Sequence, residues 1–130
     1  MATGANTPAA CLLVTQREDA FRDFLDGLTE SGELKADAVS TGAQALKTVA
    51  GSPVGLVVID EELPDFEALP LVVELIKANA LVNTAVVSSL PSEEFHDKSE
   101  GYGVLRALPL DPAKEDGREL ATQVVRIMGL

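Results

Sequence analysis

The sequence has few of the side chains on which many functional sites depend. Its 130 residues include no Trp, one Cys, one His and one Tyr. A lone cysteine excludes a disulfide framework and a cysteine-based metal site within one chain. Aromatic residues make up 4% of the sequence and hydrophobic residues 46%, so the core has to consist of Val, Leu, Ile and Ala. That composition is typical of a parallel sheet covered by helices on both faces.

Positive charge is also scarce, because 10 Lys and Arg residues stand against 21 Asp and Glu residues, for a net charge of −11. Such a domain repels nucleic acid and anionic membranes, so we expect a protein partner and no direct binding to either. No apolar stretch is long enough to cross a membrane. Residues 1–10 lack the basic residues and apolar centre of a signal peptide, so a cytoplasmic protein is expected.

The apolar pattern predicts five strands that alternate with five helices. The predicted strands are 11–15, 34–40, 54–59, 84–88 and 104–108. The predicted helices are 18–28, one capped by Ser40 or Thr41, one with Pro70 in its first turn, 92–99 and 114–128. This alternation predicts an α/β fold, a flavodoxin-like doubly wound parallel sheet of five strands in the order 2-1-3-4-5. We expect this domain to span residues 11–130, after a flexible N-terminal arm of residues 1–10.

Helical periodicity predicts which side chains face the core. In the third helix and the last helix, the expected inner residues are Leu71, Val72, Leu75, Ile76, Leu120, Val124, Ile127 and Met128.

A doubly wound sheet forms its sites at the carboxyl ends of its strands, here between strands one and three. The residues expected at this edge are Thr15, Gln16, Arg17, Asp60, Glu61, Glu62, Ser88, Ser89, Leu108 and Pro109. No Gly-rich phosphate loop follows strand one, which disfavours a nucleotide or flavin sensor. No pair of nucleophile and base is evident, so we do not expect an enzyme.

Three segments resemble CheY-like response-regulator receiver domains of two-component systems. Residues 57–66, VVIDEELPDF, resemble the strand that ends in the phosphoacceptor Asp, with a Pro four residues later. Residues 40–46, STGAQAL, resemble the start of the family's second helix, and residues 108–112, LPLDP, resemble its Lys-Pro-Phe-Asp-Pro segment. The match covers nearly the whole chain from Cys11 onward.

The resemblance implies that an Asp accepts a phosphoryl group from a histidine kinase. In the family, an acidic pair after strand one holds Mg²⁺, and a Ser or Thr on strand four and a Lys on strand five bind the phosphoryl oxygens. Carried over by position, the phosphoacceptor is Asp60. The Ser/Thr position falls on Ser88, or on Ser89 if the register differs.

The remaining positions depart from the family pattern. The acidic pair falls on Thr15 and Gln16, and the Lys falls on Leu108. Mg²⁺ prefers carboxylate oxygens, and phosphoryl transfer needs positive charge near the phosphoryl group. Glu18 and Asp19 could replace the acidic pair if the first loop is longer, although the helix dipole also explains acids in a first turn.

These departures predict a pseudo-receiver that acts through protein–protein interaction, with no catalytic residue and no cofactor. No metal is expected, and Asp60 and Glu62 are the residues that could contact one. The alternative is a functional receiver that a histidine kinase phosphorylates on Asp60 with the help of Mg²⁺. A further hypothesis is that Arg17, close in sequence to the site, pairs with Asp60 and replaces the missing cations.

The resemblance also implies a docking surface, formed by the fourth helix, the fifth strand and the fifth helix. It includes Glu94, Asp97, Lys98 and Arg106. A histidine kinase, an output domain or a second copy in a homodimer is the expected partner there.

Overall fold

Five parallel strands form one sheet in the order β2-β1-β3-β4-β5. Their bounds are β1 Ala9–Val14, β2 Leu34–Val39, β3 Val54–Ile59, β4 Asn83–Val87 and β5 Val104–Leu108. The structure is a computed structural model that describes residues 8–129. The predicted fold class and strand order are confirmed. Because β1 lies between β2 and β3, the chain reverses its direction of winding beside β1, and this creates the crevice in which sites form.

Five helices connect and follow the strands. They are α1 Arg22–Thr29, α2 Gly42–Gly51, α3 Ala68–Ala78, α4 Ser92–Ser99 and α5 Lys114–Met128. The predicted helix 18–28 is divided, since Glu18–Phe21 form a 3₁₀ turn before α1 begins. Thr41 caps α2 as predicted, because its Oγ1 accepts a hydrogen bond from the Gln44 N–H at 3.1 Å.

The sheet is covered on both faces. One apolar layer contains residues of α1 and α5, and the other contains residues of α2, α3 and α4. The helices α1 and α5 approach each other closely through Gly27 and Gly117. A Cβ atom on Gly117 would collide with the backbone of Phe24 and Leu28, so only glycine allows this approach.

The start of β1 differs from the prediction. The Ala9 N–H donates to the Glu33 carbonyl oxygen at 3.0 Å, so the strand begins two residues earlier than expected. Ala9 and Ala10 therefore belong to the sheet and not to the predicted arm. Residues 1–7 of that arm lie outside the described residues.

Three predicted core side chains are more exposed than expected. Ile76 is 37% exposed, Ile127 52% and Met128 37%. Ile76 lies beside Val72 at the margin of the buried stripe of Leu71, Val72 and Leu75 on α3, where fewer neighbours cover it. Ile127 and Met128 lie in the final turn of α5, after Val124, which is the last residue of that helix buried in the core.

Between residues 8 and 129, no helix combines the length and the apolar composition needed to cross a membrane.

Candidate functional site

Asp60 directly follows β3 at the carboxyl edge of the sheet. Its N–H donates to the carbonyl oxygen of Val14 in β1 at 2.9 Å, which places it between β1 and β3. The residue is only 2% exposed. A carboxylate buried to this degree loses its hydration and needs hydrogen bonds or a cation to compensate.

Each of the two carboxylate oxygens of Asp60 accepts two hydrogen bonds. Oδ2 accepts from Thr15 Oγ1 at 2.6 Å and from Arg17 Nε at 2.8 Å. Oδ1 accepts from Arg17 Nη2 at 2.9 Å and from the Glu61 N–H at 2.8 Å. The guanidinium therefore binds the carboxylate through two parallel bonds, the strongest geometry for this pair. The predicted pairing of Arg17 with Asp60 is confirmed.

Arg17 also holds the loop between β5 and α5. Its Nη2 donates to the Leu110 carbonyl oxygen at 2.6 Å, and its Nη1 to Asp111 Oδ1 at 3.2 Å. The guanidinium carbon lies 5.3 Å from the centre of the Phe21 ring, in a cation–π contact. The hydrogen bond to Asp60 is the main cause of a raised pKa for Arg17. One permanently charged side chain thus joins the loops that follow β1, β3 and β5.

The two residues at the predicted acidic-pair positions are separated in the structure. Thr15 is buried and donates to Asp60, as described above. Gln16 is exposed, and its Nε2 donates to the Ser40 carbonyl oxygen at 3.3 Å, away from Asp60. The alternative residues Glu18 and Asp19 are both exposed in the 3₁₀ turn, where Asp19 pairs with Arg22 of α1 at 3.3 Å.

The positions on β4 and β5 hold no charge near Asp60. Leu108 is 2% exposed, and its carbonyl oxygen accepts from the Ser88 N–H at 3.0 Å. The Ser88 Oγ accepts from the Leu90 N–H at 3.1 Å. Ser89 donates to Glu61 Oε2 through its N–H at 2.6 Å and its Oγ at 2.9 Å. The Glu61–Ser89 contact therefore ties the loop after β3 to the loop after β4, a role that the sequence did not indicate.

Asp65 is a second residue that sequence reasoning missed. Its carboxylate accepts the N–H groups of Gly42 and Ala43 at 2.9 Å each, at the start of α2. These backbone hydrogen bonds are the main cause of a lowered pKa for Asp65. A Cβ atom at Gly42 would collide with the Phe66 ring, so any other residue there would force that ring to move. No local pattern could indicate this cap, since the capped helix lies more than 20 residues earlier in the chain.

The donor set does not fit Mg²⁺. The ion favours carboxylate and water oxygens, whereas Thr15 and Gln16 carry no charge. Asp60 uses both oxygens on other donors, one of them the cationic Arg17, and Glu62 is exposed to solvent. Among residues 8–129, no group of three His, Cys, Asp or Glu side chains is arranged to hold a metal ion.

The sequence matches no protein-family model and no curated protein. Solved structures match it over nearly its whole length. The signal receiver domain of an HD domain-containing protein from Pseudomonas fluorescens Pf-5 gives a TM-score of 0.77 at 18% identity, over 99% of this chain and 94% of that one. A CheY-like response regulator receiver domain protein from Methanospirillum hungatei JF-1 gives 0.76 at 18% identity, over 94% and 97%.

The chemotaxis response regulator CheY4 of Vibrio cholerae gives a TM-score of 0.76 at 16% identity, over 91% of this chain and 99% of that one. These three structures and a further receiver domain, from Vibrio parahaemolyticus, each cover at least 91% of this chain. The chain therefore has the fold of CheY-like response-regulator receiver domains.

Proposed function

We propose that this protein is a pseudo-receiver, a signalling domain that acts by binding another protein while Asp60 stays paired with Arg17. The observation that carries the proposal is the bidentate ion pair, which occupies both oxygens of the aspartate. The receiver fold supplies the signalling context, and a cytoplasmic location accords with it.

The ion pair opposes phosphorylation in two ways. To attack a phosphorus atom, one Asp60 oxygen has to give up hydrogen bonds. Each hydrogen bond from a charged donor such as Arg17 is worth about 1.5–3 kcal/mol. The guanidinium also lies over the carboxylate, between it and the loop of Leu110 and Asp111. The reacting oxygens are therefore both engaged and covered.

The transferred phosphoryl group would also lack stabilisation. Its oxygens gain negative charge that a metal ion and a Lys neutralise in a working site. Here Leu108 occupies the Lys position, and Arg17, the cation that contacts Asp60 among residues 8–129, is already neutralised by it. Loss of one such electrostatic group typically slows a reaction about 100-fold or more.

The same contacts support a constant binding surface. Arg17 joins three loops, and Glu61 joins a fourth through Ser89. The surface formed by α4, β5 and α5 contains a groove of about 600 Å³ beside Arg106, Arg126 and Ile127. Arg106 pairs with Glu119 of the same groove at 3.1 Å. In a domain with a net charge of −11, Arg126 is then the groove's arginine that offers a contact for acidic side chains of a kinase or an output domain.

The test is a titration with Mg²⁺ and then beryllofluoride, which mimics a phosphoryl group, followed by amide NMR. We expect no saturable shift at Asp60 or Ser88. Incubation with acetyl phosphate, read by intact mass, is expected to leave the protein unmodified, as in an Asp60→Asn control. Saturable shifts, or a phosphoryl adduct that Asp60→Asn abolishes, would refute the proposal and support the functional receiver.

A further inference from the structure

The strand β2 forms one edge of the sheet, and in the part of the chain that the structure describes β1 is its only paired strand. Glu33 and Val39 direct their carbonyl oxygens toward β1, where they accept from the N–H groups of Ala9 and Thr15. Because successive residues of a strand alternate, Leu34, Ala36 and Ala38 direct their backbone N–H and C=O groups outward, away from the sheet. This edge is a template for another strand.

The exposed side chains on β2 carry opposite charges. Lys35 and Asp37 are both exposed, and because they are two residues apart they project from the same face of the sheet. On the other face, Ala36 and Ala38 are small and half-buried against the layer of α1 and α5. The centre of β2 therefore carries small side chains at Ala36 and Ala38, and the charges of Lys35 and Asp37 leave the strand with no net charge of its own.

We propose that β2 pairs with β2 of a second copy of this chain, antiparallel about a two-fold axis at Ala36. In this register Ala36 lies opposite its own symmetry mate and Leu34 lies opposite Ala38. These are the residues whose backbone groups point outward, so the two strands form about six hydrogen bonds.

The same register places Lys35 of each copy opposite Asp37 of the other. They form the non-hydrogen-bonded pairs, in which opposing side chains come closest. The two-fold axis produces this ion pair twice. An antiparallel register centred on residue 35 or on residue 37 would instead place identical charges opposite each other at the axis.

This self-complementarity selects a second copy over an unrelated strand. In a two-fold interface the same surface of each copy contacts its own equivalent, so it has to be complementary to itself. The strand β2 meets this requirement, because Lys35 of each copy faces Asp37 of the other. The net charge of −11 opposes self-association through the acidic remainder of the surface, whereas the charges of Lys35 and Asp37 cancel. The dimer also leaves the surface of α4, β5 and α5 free, because β5 is the opposite edge of the sheet.

Charge reversal tests the register. Sedimentation velocity from about 10 µM to about 1 mM is expected to show a dimer of the full chain. Lys35→Asp and Asp37→Lys each place like charges opposite each other twice, and each is expected to weaken the dimer about tenfold or more. An equimolar mixture of the two variants is expected to form a heterodimer, since every cross-strand pair is then of opposite charge, and native mass spectrometry identifies it by mass.

Matched controls separate this effect from net charge. Lys77→Asp and Glu67→Lys make charge changes of the same size at exposed positions of α3 and its N-cap, outside β2 and outside the surface of α4, β5 and α5, and are expected to leave the dimer unchanged. Amide spectra confirm that each variant is folded. A wild-type chain that stays monomeric throughout, single reversals that dimerise like the wild type, or a mixture that forms no heterodimer would each overturn the proposal. The proposal does not depend on whether Asp60 is phosphorylated.

Discussion

Removal of Arg17 is expected to destabilise the fold by an amount that the site geometry allows us to estimate. Asp60 is 2% exposed with Arg17 in place; in Arg17→Ala its carboxylate loses the guanidinium that covers it and keeps the uncharged donors of Thr15 and Glu61. Breaking a buried ion pair by removing one partner costs about 3–5 kcal/mol. Because the Arg17 side chain is itself 38% exposed, solvent screening lowers the expected cost to about 2–3 kcal/mol.

Urea unfolding followed by circular dichroism measures this cost. For a small domain, a loss of 2–3 kcal/mol corresponds to a fall of about 1 M or more in the midpoint. Arg22→Ala is the matched control, since Arg22 pairs with Asp19 in solvent at 3.3 Å, and its expected cost is below about 0.5 kcal/mol.

A double-mutant cycle isolates the interaction itself. Arg17→Ala and Asp60→Asn, alone and together, are expected to give a coupling energy of about 1–3 kcal/mol, because the two side chains share two hydrogen bonds. A coupling near zero, or an Arg17→Ala cost no larger than that of Arg22→Ala, would refute the view that this pair organises the site.

Three further predictions concern the rest of the domain. Gly117→Ala is expected to cost about 1–3 kcal/mol in urea unfolding, because its Cβ would meet the backbone of α1, whereas Gly51→Ala, which has open space around it, is expected to cost little. Asp65→Asn is expected to lower the midpoint of thermal unfolding at neutral pH and to make that midpoint less sensitive to a fall in pH. The pKa of Asp65 is lower in the folded protein than in the unfolded chain. The carboxylate therefore stabilises the fold at pH values above its pKa in the unfolded chain, and this contribution is lost as the pH falls through its pKa in the folded protein. Burial raises the pKa of the Cys11 thiol from 9.0 to about 12, so we expect iodoacetamide to label it only in urea, and stability to fall as pH rises from 9.0 toward about 12.

Much of the fold is predictable from local pattern. The strand 54–59 and the helices 92–99 and 114–128 have the predicted bounds, because their apolar periods and flanking residues agree. The 3₁₀ turn at Glu18–Phe21 was not predicted, since it has the same apolar spacing as the helix that follows. The exposure of Ile76 depends on which neighbours cover α3, and helical spacing alone does not supply that information.

The site was predictable only in part. The position of Asp60 follows from its place after a buried strand, and the pair with Arg17 follows from the closeness of two strand ends. The Glu61–Ser89 contact and the Asp65 cap depend on how loops meet in space, which no spacing in the sequence encodes. The phosphoacceptor role of Asp60 stays a prediction.

The Asp65 cap gives the loop after Asp60 a built-in reporter. Any outward movement of that loop has to withdraw the carboxylate from the Gly42 and Ala43 amides and leave them open to water. Hydrogen exchange at these two amides therefore measures how often the loop opens, without a probe attached at the site itself.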